Sequence, residues 1–306
     1  MVMKTIHIGL NNQPCFEEGL SLAVGYFDGF HLGHQELIKK AKEKARENNL
    51  KTAVLSFDPN PLVTLGKMKE EKYLTSLKDR EAILETMEID YFLILDFTLE
   101  VANMLPEDFV STFIEKMNVK EVICGFDFFF GQKGKGNGEL LKTYTTFNTS
   151  VINQVSKDNL KISTTRINGL LAQGKLDEVT ELLTRPYQMT GKVVHGKQRG
   201  RQMGFPTANI DYGSYYLPKR GVYGVKVIFD GDTYLGMCNV GFNPTFKNDE
   251  QYSVEVHLFD FSGDIYGEEI SIQFYFYTRD EKTFSSKDEL KLQLMKDQEE
   301  IRAYFA

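Results

Sequence analysis

The stretch VGYFDGFHLGH (24–34) decides the fold of the first half of this 306-residue chain. It begins in the apolar run SLAVGYFDG (21–29), which predicts a buried strand ending in glycines. It continues into HLGHQELIKKAKEKAREN (31–48), where four apolar residues recur at helical spacing: Leu37, Ile38, Ala41 and Ala45. Open α/β sheets bind ligands where a strand gives way to a helix, so this junction is a candidate site.

Three more apolar runs predict strands downstream, with helical segments between them: KTAVLSFD (51–58), YFLILDF (91–97) and EVICGFDFFF (121–130). Strands that alternate with helices indicate a parallel sheet with crossover helices. The first domain is therefore predicted to be an α/β domain spanning residues 1–185.

The pattern changes after Arg185-Pro186. Residues 162–184 predict one or two short helices broken near Gly174, and short strands dominate from residue 187. Phe229-Asp230-Gly231-Asp232 is typical of a hairpin turn, and closely spaced antiparallel strands predict a small barrel. The tail at 287–305 predicts a closing helix, so residues 186–306 form the second predicted domain.

Composition narrows the function classes. The net charge of −7 argues against a nucleic-acid binder, which needs a basic footprint. No apolar stretch approaches the ~18 residues of a membrane helix, and residues 1–10 lack the apolar core of a signal peptide. The three isolated cysteines indicate a reducing compartment, so a cytoplasmic protein without membrane or nucleic-acid partners is expected. The oligomeric state is left open.

His31 and His34 share one face of the first helical turn, beside Gly29 and Gly33. A helix start offers free N–H groups and a positive dipole end, so the segment predicts a phosphate cradle. With no third ligand visible, a metal site is not indicated, and the alternative is a pair of surface histidines beside a glycine turn. GQKGKGNG (131–138) lacks a P-loop ending and predicts either a mobile loop near phosphates or a plain surface loop.

The segment GKVVHGKQRGRQMGFPTANI (191–210) is the strongest signal in the second half. Its glycines and basic residues predict a loop that closes over polyphosphate: Gly196, Lys197, Arg199, Gly200, Arg201 and Gly204. Thr207 and Asn209 follow Pro206 and share one face of an extended segment, where a hydroxyl and an amide carbonyl suit Mg²⁺. The alternative is a turn in which both side chains satisfy backbone groups.

QYSVEVHLFDF (251–261) predicts a strand with Glu255 on the face opposite Val254, Val256 and Leu258. An acidic residue on a barrel strand is usually only solvated. Phosphoryl transfer to a primary alcohol, however, needs a carboxylate to orient the hydroxyl and accept its proton, and Glu255 is the candidate.

These motifs resemble the bacterial bifunctional riboflavin kinase/FAD synthetase family along essentially the whole chain. GYFDGFHLGH, CGFDFFFG (124–131) and ISTTRIN (162–168) resemble signatures of its nucleotidyltransferase half. GRQMGFPTANI, GVYGV (221–225), VEVHLFDF, NVGFNPTF (239–246) and TRDEKTF (278–284) resemble its kinase half.

The resemblance implies a Rossmann-like nucleotidyltransferase domain, then a small antiparallel β-barrel riboflavin kinase domain with a C-terminal helix. It implies an enzyme that phosphorylates riboflavin to FMN and adenylylates FMN to FAD, with ATP as co-substrate and Mg²⁺ as cofactor. Glu255 would be the kinase base, Thr207 and Asn209 would hold Mg²⁺, and His31 and His34 would serve adenylyl transfer.

The resemblance also implies two sets of binding residues. The nucleotide-binding set is Gly25, Phe27, Asp28, Gly29, Gly33, Thr165, Arg166, Gly196, Lys197, Gly200, Arg201 and Gly204. The flavin-binding set is Asp127, Phe205, Asn239, Thr245 and Arg279.

Four positions depart from the nucleotidyltransferase pattern. Phe126 stands where an acid is common, Phe129 where arginine is frequent, Asn60 where histidine is common and Asn168 where the pattern has arginine. The alternative interpretation is drift at tolerant positions, with Arg166, Lys133 and Lys135 compensating. Three hypotheses stay open: a bifunctional enzyme that makes FMN and then FAD, a riboflavin kinase whose first domain has lost most adenylyl transfer, and a flavin-sensing binding protein. Intact Thr207, Asn209 and Glu255 speak against the sensor, which would not need a base.

Overall fold

The fold is described from a computed structural model that covers residues 2–196, 204–242 and 252–306. By internal contacts the chain forms two compact units. Unit 1 comprises Met1–Lys72 and Ser76–Ser163, and unit 2 comprises Tyr73–Thr75 and Thr164–Ala306. In the described ranges no helix is long and apolar enough to cross a membrane.

Unit 1 is built around a parallel six-stranded sheet. Its strands and those of two small hairpins are β1 (Lys4–Ile8), β2 (Leu20–Val24), β3 (Lys51–Asp58), β4 (Tyr91–Asp96), β5 (Val119–Gly125), β6 (Phe129–Phe130), β7 (Gly136–Asn137), β8 (Asn148–Ile152), β9 (Ser156–Lys157) and β10 (Leu160–Lys161). The large sheet has the order β1-β4-β3-β2-β5-β8, while β6 pairs with β7 and β9 with β10.

Helices fill the crossovers of unit 1. They are α1 (Leu32–Asn48), α2 (Pro61–Thr64), α3 (Leu77–Thr86), α4 (Leu99–Ala102), α5 (Pro106–Val110) and α6 (Gly138–Leu141). A π-helical turn, Ser111–Glu115, extends α5, and 3₁₀ turns occur at Asp28–Phe30 and Gln132–Gly134.

The central strand β2 is completely buried and lies between β3 and β5. The chain after β2 builds β3 and β4 on one side and then crosses to β5 on the other. The carboxyl end of β2 is thus the switch point at which open α/β sheets bind ligands. The residues that follow it are those of the predicted junction.

The structure confirms the predicted parallel α/β domain and corrects one strand within it. EVICGFDFFF does not form a single strand at 121–130: β5 ends at Gly125, and Phe129–Phe130 pair separately with β7. The physical reason is a turn after Gly125, in which the Phe128 amide donates to the Gly125 carbonyl at 3.1 Å; Gly131 (φ 69°) then reverses the chain between β6 and β7. Residues 131–135 of the glycine- and lysine-rich segment form the turn of the β6–β7 hairpin, and Gly136–Asn137 form β7.

Unit 2 is a closed antiparallel barrel with helices packed against it, as predicted. Its elements are α7 (Thr164–Gln173), α8 (Leu176–Leu183), β11 (Tyr187–Val194), β12 (Ala208–Asp211), β13 (Gly221–Phe229), β14 (Asp232–Phe242), β15 (Tyr252–Leu258), β16 (Glu269–Arg279) and α9 (Lys287–Phe305). The barrel order is β11-β12-β15-β14-β13-β16. Asp230 and Gly231 turn β13 into β14 with positive φ at both residues, as a two-residue hairpin requires.

The helices α7 and α8 belong to unit 2, although the sequence placed them before the domain boundary. Gly174 separates them with a φ of 75°. Helix α8 buries Leu176, Val179, Leu182 and Leu183 and packs on β11 and β16. The ranges 1–185 and 186–306 stay a prediction, which the stability of fragments can test.

We expect a fragment of residues 164–306 to be more stable than one of residues 186–306. Removing α7 and α8 exposes the barrel surface that α8 covers, and a fully buried Leu or Val contributes about 1.5–3 kcal/mol. The melting temperature of the shorter fragment should be lower by roughly 10 °C or more, because each kcal/mol shifts a small domain by about 4–8 °C. Equal melting temperatures in calorimetry would place the boundary at 185.

Candidate active sites

The turn that follows β2 combines buried aromatic side chains with a strained backbone. Phe27 and Phe30 adopt left-handed conformations (φ 53° and 45°), and Gly29 lies between them with a φ of 80°. Both phenylalanine side chains are fully buried and stack with ring centroids 5.7 Å apart. Such strain persists only where surrounding packing enforces it, as it does here. The predicted nucleotide-binding residue Phe27 can therefore contribute only its backbone.

The two histidines of the junction lie together at the start of α1. His31 is the N-cap, and its Nδ1 accepts a hydrogen bond from the His34 amide at 3.4 Å. The two rings stack with centroids 3.8 Å apart and 16° between their planes. Because Nδ1 accepts, the neutral His31 ring carries its proton on Nε2. A Cβ on Gly33 would approach the His31 ring at 3.1 Å, so this glycine also makes room for the imidazole.

A buried ion pair between Asp28 and Arg80 holds the same turn. The sequence predicted Asp28 as a site residue but not Arg80. Arg80 of α3 and Asp28 are each 2% exposed, with a nitrogen-to-oxygen distance of 3.6 Å. Arg80 also donates to the Tyr26 carbonyl at 3.0 Å and to the Ser56 hydroxyl at 3.3 Å. The segment KDREAIL around Arg80 carries no motif, so only the folded structure reveals this contact.

A second polar cluster lies at the carboxyl ends of β2 and β3. The Glu71 carboxylate accepts hydrogen bonds from the Tyr26 hydroxyl and the backbone N–H of Asn60, each at 3.0 Å. Burial raises the pKa of Tyr26 above its usual range and also raises the pKa of Asp58. The Asn60 side chain caps α2 by accepting from the Leu62 amide at 2.9 Å. Asparagine at this position thus has a structural role of its own.

The second signature of unit 1 presents two aromatic rings to solvent. Phe126 is 45% exposed and Phe129 is 62% exposed, whereas Phe130 is buried. Asp127 forms an ion pair with Lys161 at 2.5 Å, and the Lys161 ammonium lies 4.8 Å from the centre of the Phe126 ring. The Lys161 ammonium, the Asp127 carboxylate and the exposed Phe126 ring thus lie together just after the end of β5.

In unit 2, strand pairing brings the predicted kinase residues into one row. Asn209 of β12 pairs with Glu255 of β15, and Glu255 pairs in turn with Asn239 of β14. All three side chains are half-buried, between neighbours that face the barrel interior. The Thr207 hydroxyl donates to the Glu255 carboxylate at 3.2 Å. The sequence predicted each of these residues, but only the register shows that they meet.

The residues around this row have defined partners. A Cβ on Gly196 would lie 2.0 Å from the side-chain nitrogen (Nδ2) of Asn209. The absence of a side chain at Gly196 therefore lets its main chain lie against the Asn209 side chain. His257 Nδ1 lies 2.7 Å from the Pro206 carbonyl, and burial lowers the pKa of His257. A cleft of about 530 Å³ adjoins Thr207 and is lined by Val193, Val256, Leu258 and residues 261–266.

The other predicted residues of unit 2 are placed as follows. Phe205 is buried in a cluster with Phe259 and Ile301, and Gly204 has a φ of 84°. Arg279 donates through Nε and a terminal nitrogen to the buried Asp297 carboxylate of α9 at 3.0 and 2.7 Å. Asp297 gave no signal in the sequence. Lys197, Gly200, Arg201 and Thr245 lie outside the described residues, as does Arg199.

Comparisons with known proteins cover the whole chain. Residues 14–166 match the FAD synthetase family model and residues 183–305 match the riboflavin kinase family model. Bifunctional riboflavin kinase/FMN adenylyltransferases from Listeria monocytogenes and Bacillus subtilis are 40% and 39% identical, each over 99% of both chains. The Escherichia coli K12 protein is 34% identical over 99% of this chain and 97% of its own.

The chain belongs to the bifunctional riboflavin kinase/FMN adenylyltransferase family. A solved Streptococcus pneumoniae structure, described as a macrolide-efflux protein, has a TM-score of 0.87 and 36% identity. It covers 97% of this chain and 99% of its own, so the same fold extends over the whole length.

The predicted site residues divide between the two family matches. The FAD synthetase match contains the histidine turn, Asp127 and the first turn of α7, which carries Thr165 and Arg166. The riboflavin kinase match contains Thr207, Asn209, Glu255 and Arg279. Among the residues described, no group of three or more His, Cys, Asp or Glu is arranged to hold a metal ion.

We expect Arg80→Met to destabilise unit 1 strongly. It leaves the Asp28 carboxylate buried without its cation, and breaking a buried pair in this way typically costs about 3–5 kcal/mol. The control is Lys142→Met, which removes an exposed pair with Glu139 worth about 0–1 kcal/mol. Both changes are measured by calorimetry on the full chain. Equal losses in the two variants would show that the Arg80–Asp28 pair does not hold the turn.

Proposed function

We propose that this chain phosphorylates riboflavin to FMN with its barrel and adenylylates FMN to FAD with its α/β unit. The observation that carries the proposal is the row of Asn209, Glu255 and Asn239, with the Thr207 hydroxyl on Glu255. A carboxylate flanked by hard oxygen donors is what phosphoryl transfer to a primary alcohol requires. Members of the family bear both activities in their names, which supports the same pair here.

In the kinase reaction, Glu255 is the general base. The terminal hydroxyl oxygen of the riboflavin side chain attacks the γ-phosphorus of ATP, and the bond from that phosphorus to the ADP oxygen breaks. The hydroxyl proton passes to the Glu255 carboxylate, and ADP leaves with the electron pair of the broken bond. Thr207 holds one carboxylate oxygen in place through its 3.2 Å hydrogen bond before substrate arrives.

The donor set beside Glu255 fits Mg²⁺. Thr207 and Asn209 offer a hydroxyl and an amide carbonyl, and Mg²⁺ prefers such hard oxygens while keeping waters and phosphate ligands. When bound, the ion neutralises charge on the ATP phosphates. Gly196 allows the main chain to close over Asn209, which supports Asn209 as a ligand.

The cleft beside Thr207 is our proposed nucleotide site of the kinase. Its wall is apolar at Val193, Val256 and Leu258, and the Tyr266 ring at its edge packs on His195 with centroids 4.0 Å apart. A flat base between apolar side chains, with phosphates directed toward Thr207, fits this shape. The basic segment around Lys197, Gly200 and Arg201 would supply charge to those phosphates.

The flavin residues of the kinase divide into two groups. Asn239 lies in the row beside Glu255 and is placed to contact the substrate. Arg279 is engaged with Asp297, so we assign it an indirect role, holding α9 against the barrel. Phe205 would support the flavin site indirectly, through the buried cluster that it forms with Phe259 and Ile301. For Thr245 the proposed flavin contact rests on family resemblance alone.

In the adenylyl transfer, an FMN phosphate oxygen attacks the α-phosphorus of ATP and pyrophosphate leaves. The protein supplies no nucleophile and must position two anions. His31, His34 and the backbone from Gly25 to Gly33 would hold the ATP phosphates at the start of α1. Thr165 and Arg166 stay nucleotide-binding residues proposed from family resemblance. Asp127 and the exposed rings of Phe126 and Phe129 would face the flavin.

The cytoplasm stays our proposed place of action. Cys124 and Cys238 are buried free thiols, and Cys15 is an exposed free thiol. Burial raises the pKa of Cys124 to about 11, so this thiol is held in its unreactive form.

Glu255→Gln should lower FMN formation by ~10²-fold or more, because the amide keeps the shape of the side chain and cannot accept the proton. Adenylylation of added FMN by the same variant should be unchanged, which serves as an internal control. Glu268→Gln, an exposed carboxylate outside the row, is the matched control. Riboflavin, FMN and FAD are separated by chromatography. Near-normal FMN formation in the Glu255 variant would remove this residue from the mechanism.

FMN should accumulate before FAD, because the adenylyl half lacks a charged donor at Asn168. A preorganised donor aimed at developing charge contributes about 10²–10³-fold in rate. Asn168→Arg should therefore raise the rate of FAD formation and leave the rate of FMN formation unchanged. Asn168→Gln adds length without charge, so it should change neither rate. If the natural chain converts FMN as fast as it phosphorylates riboflavin, the departures at Asn60, Phe126, Phe129 and Asn168 carry no cost.

A further inference from the structure

The end of the β12–β15 ladder lies directly beside the proposed phosphoryl-transfer row. The two strands pair at Ala208 with Val256 and at Asn209 with Glu255. The preceding residue of the β12 chain is Thr207, and before it Pro206 has no N–H with which to continue the ladder. Backbone pairing therefore stops just where Thr207 must be held.

A side chain takes over where the backbone pairing stops. His257, two residues beyond Glu255, lies with its Nδ1 2.7 Å from the Pro206 carbonyl. A carbonyl can only accept, so Nδ1 carries the proton and donates. Pro206 and Thr207 share the peptide whose oxygen is held in this way. The bond thus fixes the plane from which the Thr207 side chain extends.

The imidazole is itself held in position by packing. His257 is 8% exposed, and it lies beside the Phe205 and Phe259 rings with centroids 5.3 and 5.6 Å away. Phe205 and Phe259 belong to the cluster that also contains Ile301 of α9. A donor confined in this way loses little freedom when it makes its hydrogen bond, so the geometry it imposes on Pro206 is well defined.

We propose that His257 is a positioning residue of the kinase site, which holds the Pro206 carbonyl so that the Thr207 hydroxyl meets both Glu255 and the metal. The inference rests on the proposed function of the row. His257 contacts no substrate and takes no proton from one. Its effect reaches the reaction through the place of Thr207, and therefore through metal and Mg·ATP binding more than through the base.

The test compares two amide substitutions on the full chain. His257→Asn places an amide nitrogen where Nδ1 lies, whereas His257→Gln places it farther out, near the position of Nε2. Misplacing a group by about 1 Å can cost up to 10²-fold in rate. His257→Gln should therefore need ~10-fold more Mg²⁺ or Mg·ATP for half-maximal FMN formation, and His257→Asn should stay within about 3-fold of the natural chain.

Ile301→Val serves as the packing control, because it trims the cluster behind Phe205 and Phe259 and leaves both rings beside His257. It should lower the melting temperature and leave the Mg²⁺ dependence unchanged. Adenylylation of added FMN is measured for each variant to check that unit 1 is still folded and active. Equal Mg²⁺ dependence in His257→Asn and His257→Gln, or the same shift in Ile301→Val, would overturn the positioning role. A natural chain that makes no FMN would instead overturn the proposed function itself.

Discussion

The antiparallel register of β12, β15 and β14 is the constraint on which the kinase half depends. It aligns Asn209, Glu255 and Asn239 across three neighbouring strands, so the row follows from main-chain hydrogen bonds. A slip of one residue would move Glu255 to the barrel interior, where Val254 and Val256 now lie. The buried valines therefore fix the register that presents the carboxylate. The stability of the barrel and the geometry of the site have the same origin.

The α/β half positions its proposed phosphate-binding groups by a strained turn. Strand pairing brings the chain only to Val24, and a short strained turn then delivers His31 and His34 to the start of α1. Two buried rings and the Arg80–Asp28 pair hold that turn. A sheet ladder provides a flat row of side chains, whereas a turn into a helix provides backbone N–H groups for anions. Each device suits the chemistry proposed for its own unit.

Local pattern predicted much of the fold. The apolar run KTAVLSFD predicted a strand at residues 51–58, and β3 has these bounds. The closing helix lies at 287–305 as predicted. Strand β1 was not predicted, because KTIHI is short and carries Lys4 and His7 among its five residues, and it forms a strand by pairing with β4. The break between β5 and β6 was missed because four of the five residues after Gly125 are phenylalanines. A turn closed by the Phe128 amide on the Gly125 carbonyl makes the break, and no hydrophobic pattern reports that hydrogen bond.

The candidate sites show the same division between local and distant information. Motif residues such as Asp28, Asn60 and Arg279 could be named from the sequence, but their partners Arg80, Glu71 and Asp297 could not. These partners lie far along the chain and carry no spacing signal; Arg279, for example, reaches Asp297 eighteen residues on.

The central claim is that Thr207 and Asn209 hold the metal of the kinase site beside Glu255, and a Mg²⁺ titration of FMN formation tests it most directly. The account predicts that Thr207→Ala and Asn209→Ala each shift the half-maximal Mg²⁺ concentration upward, and that excess Mg²⁺ restores part of the lost rate. An unchanged Mg²⁺ dependence in both variants, or FMN formation that chelation leaves intact, would contradict it.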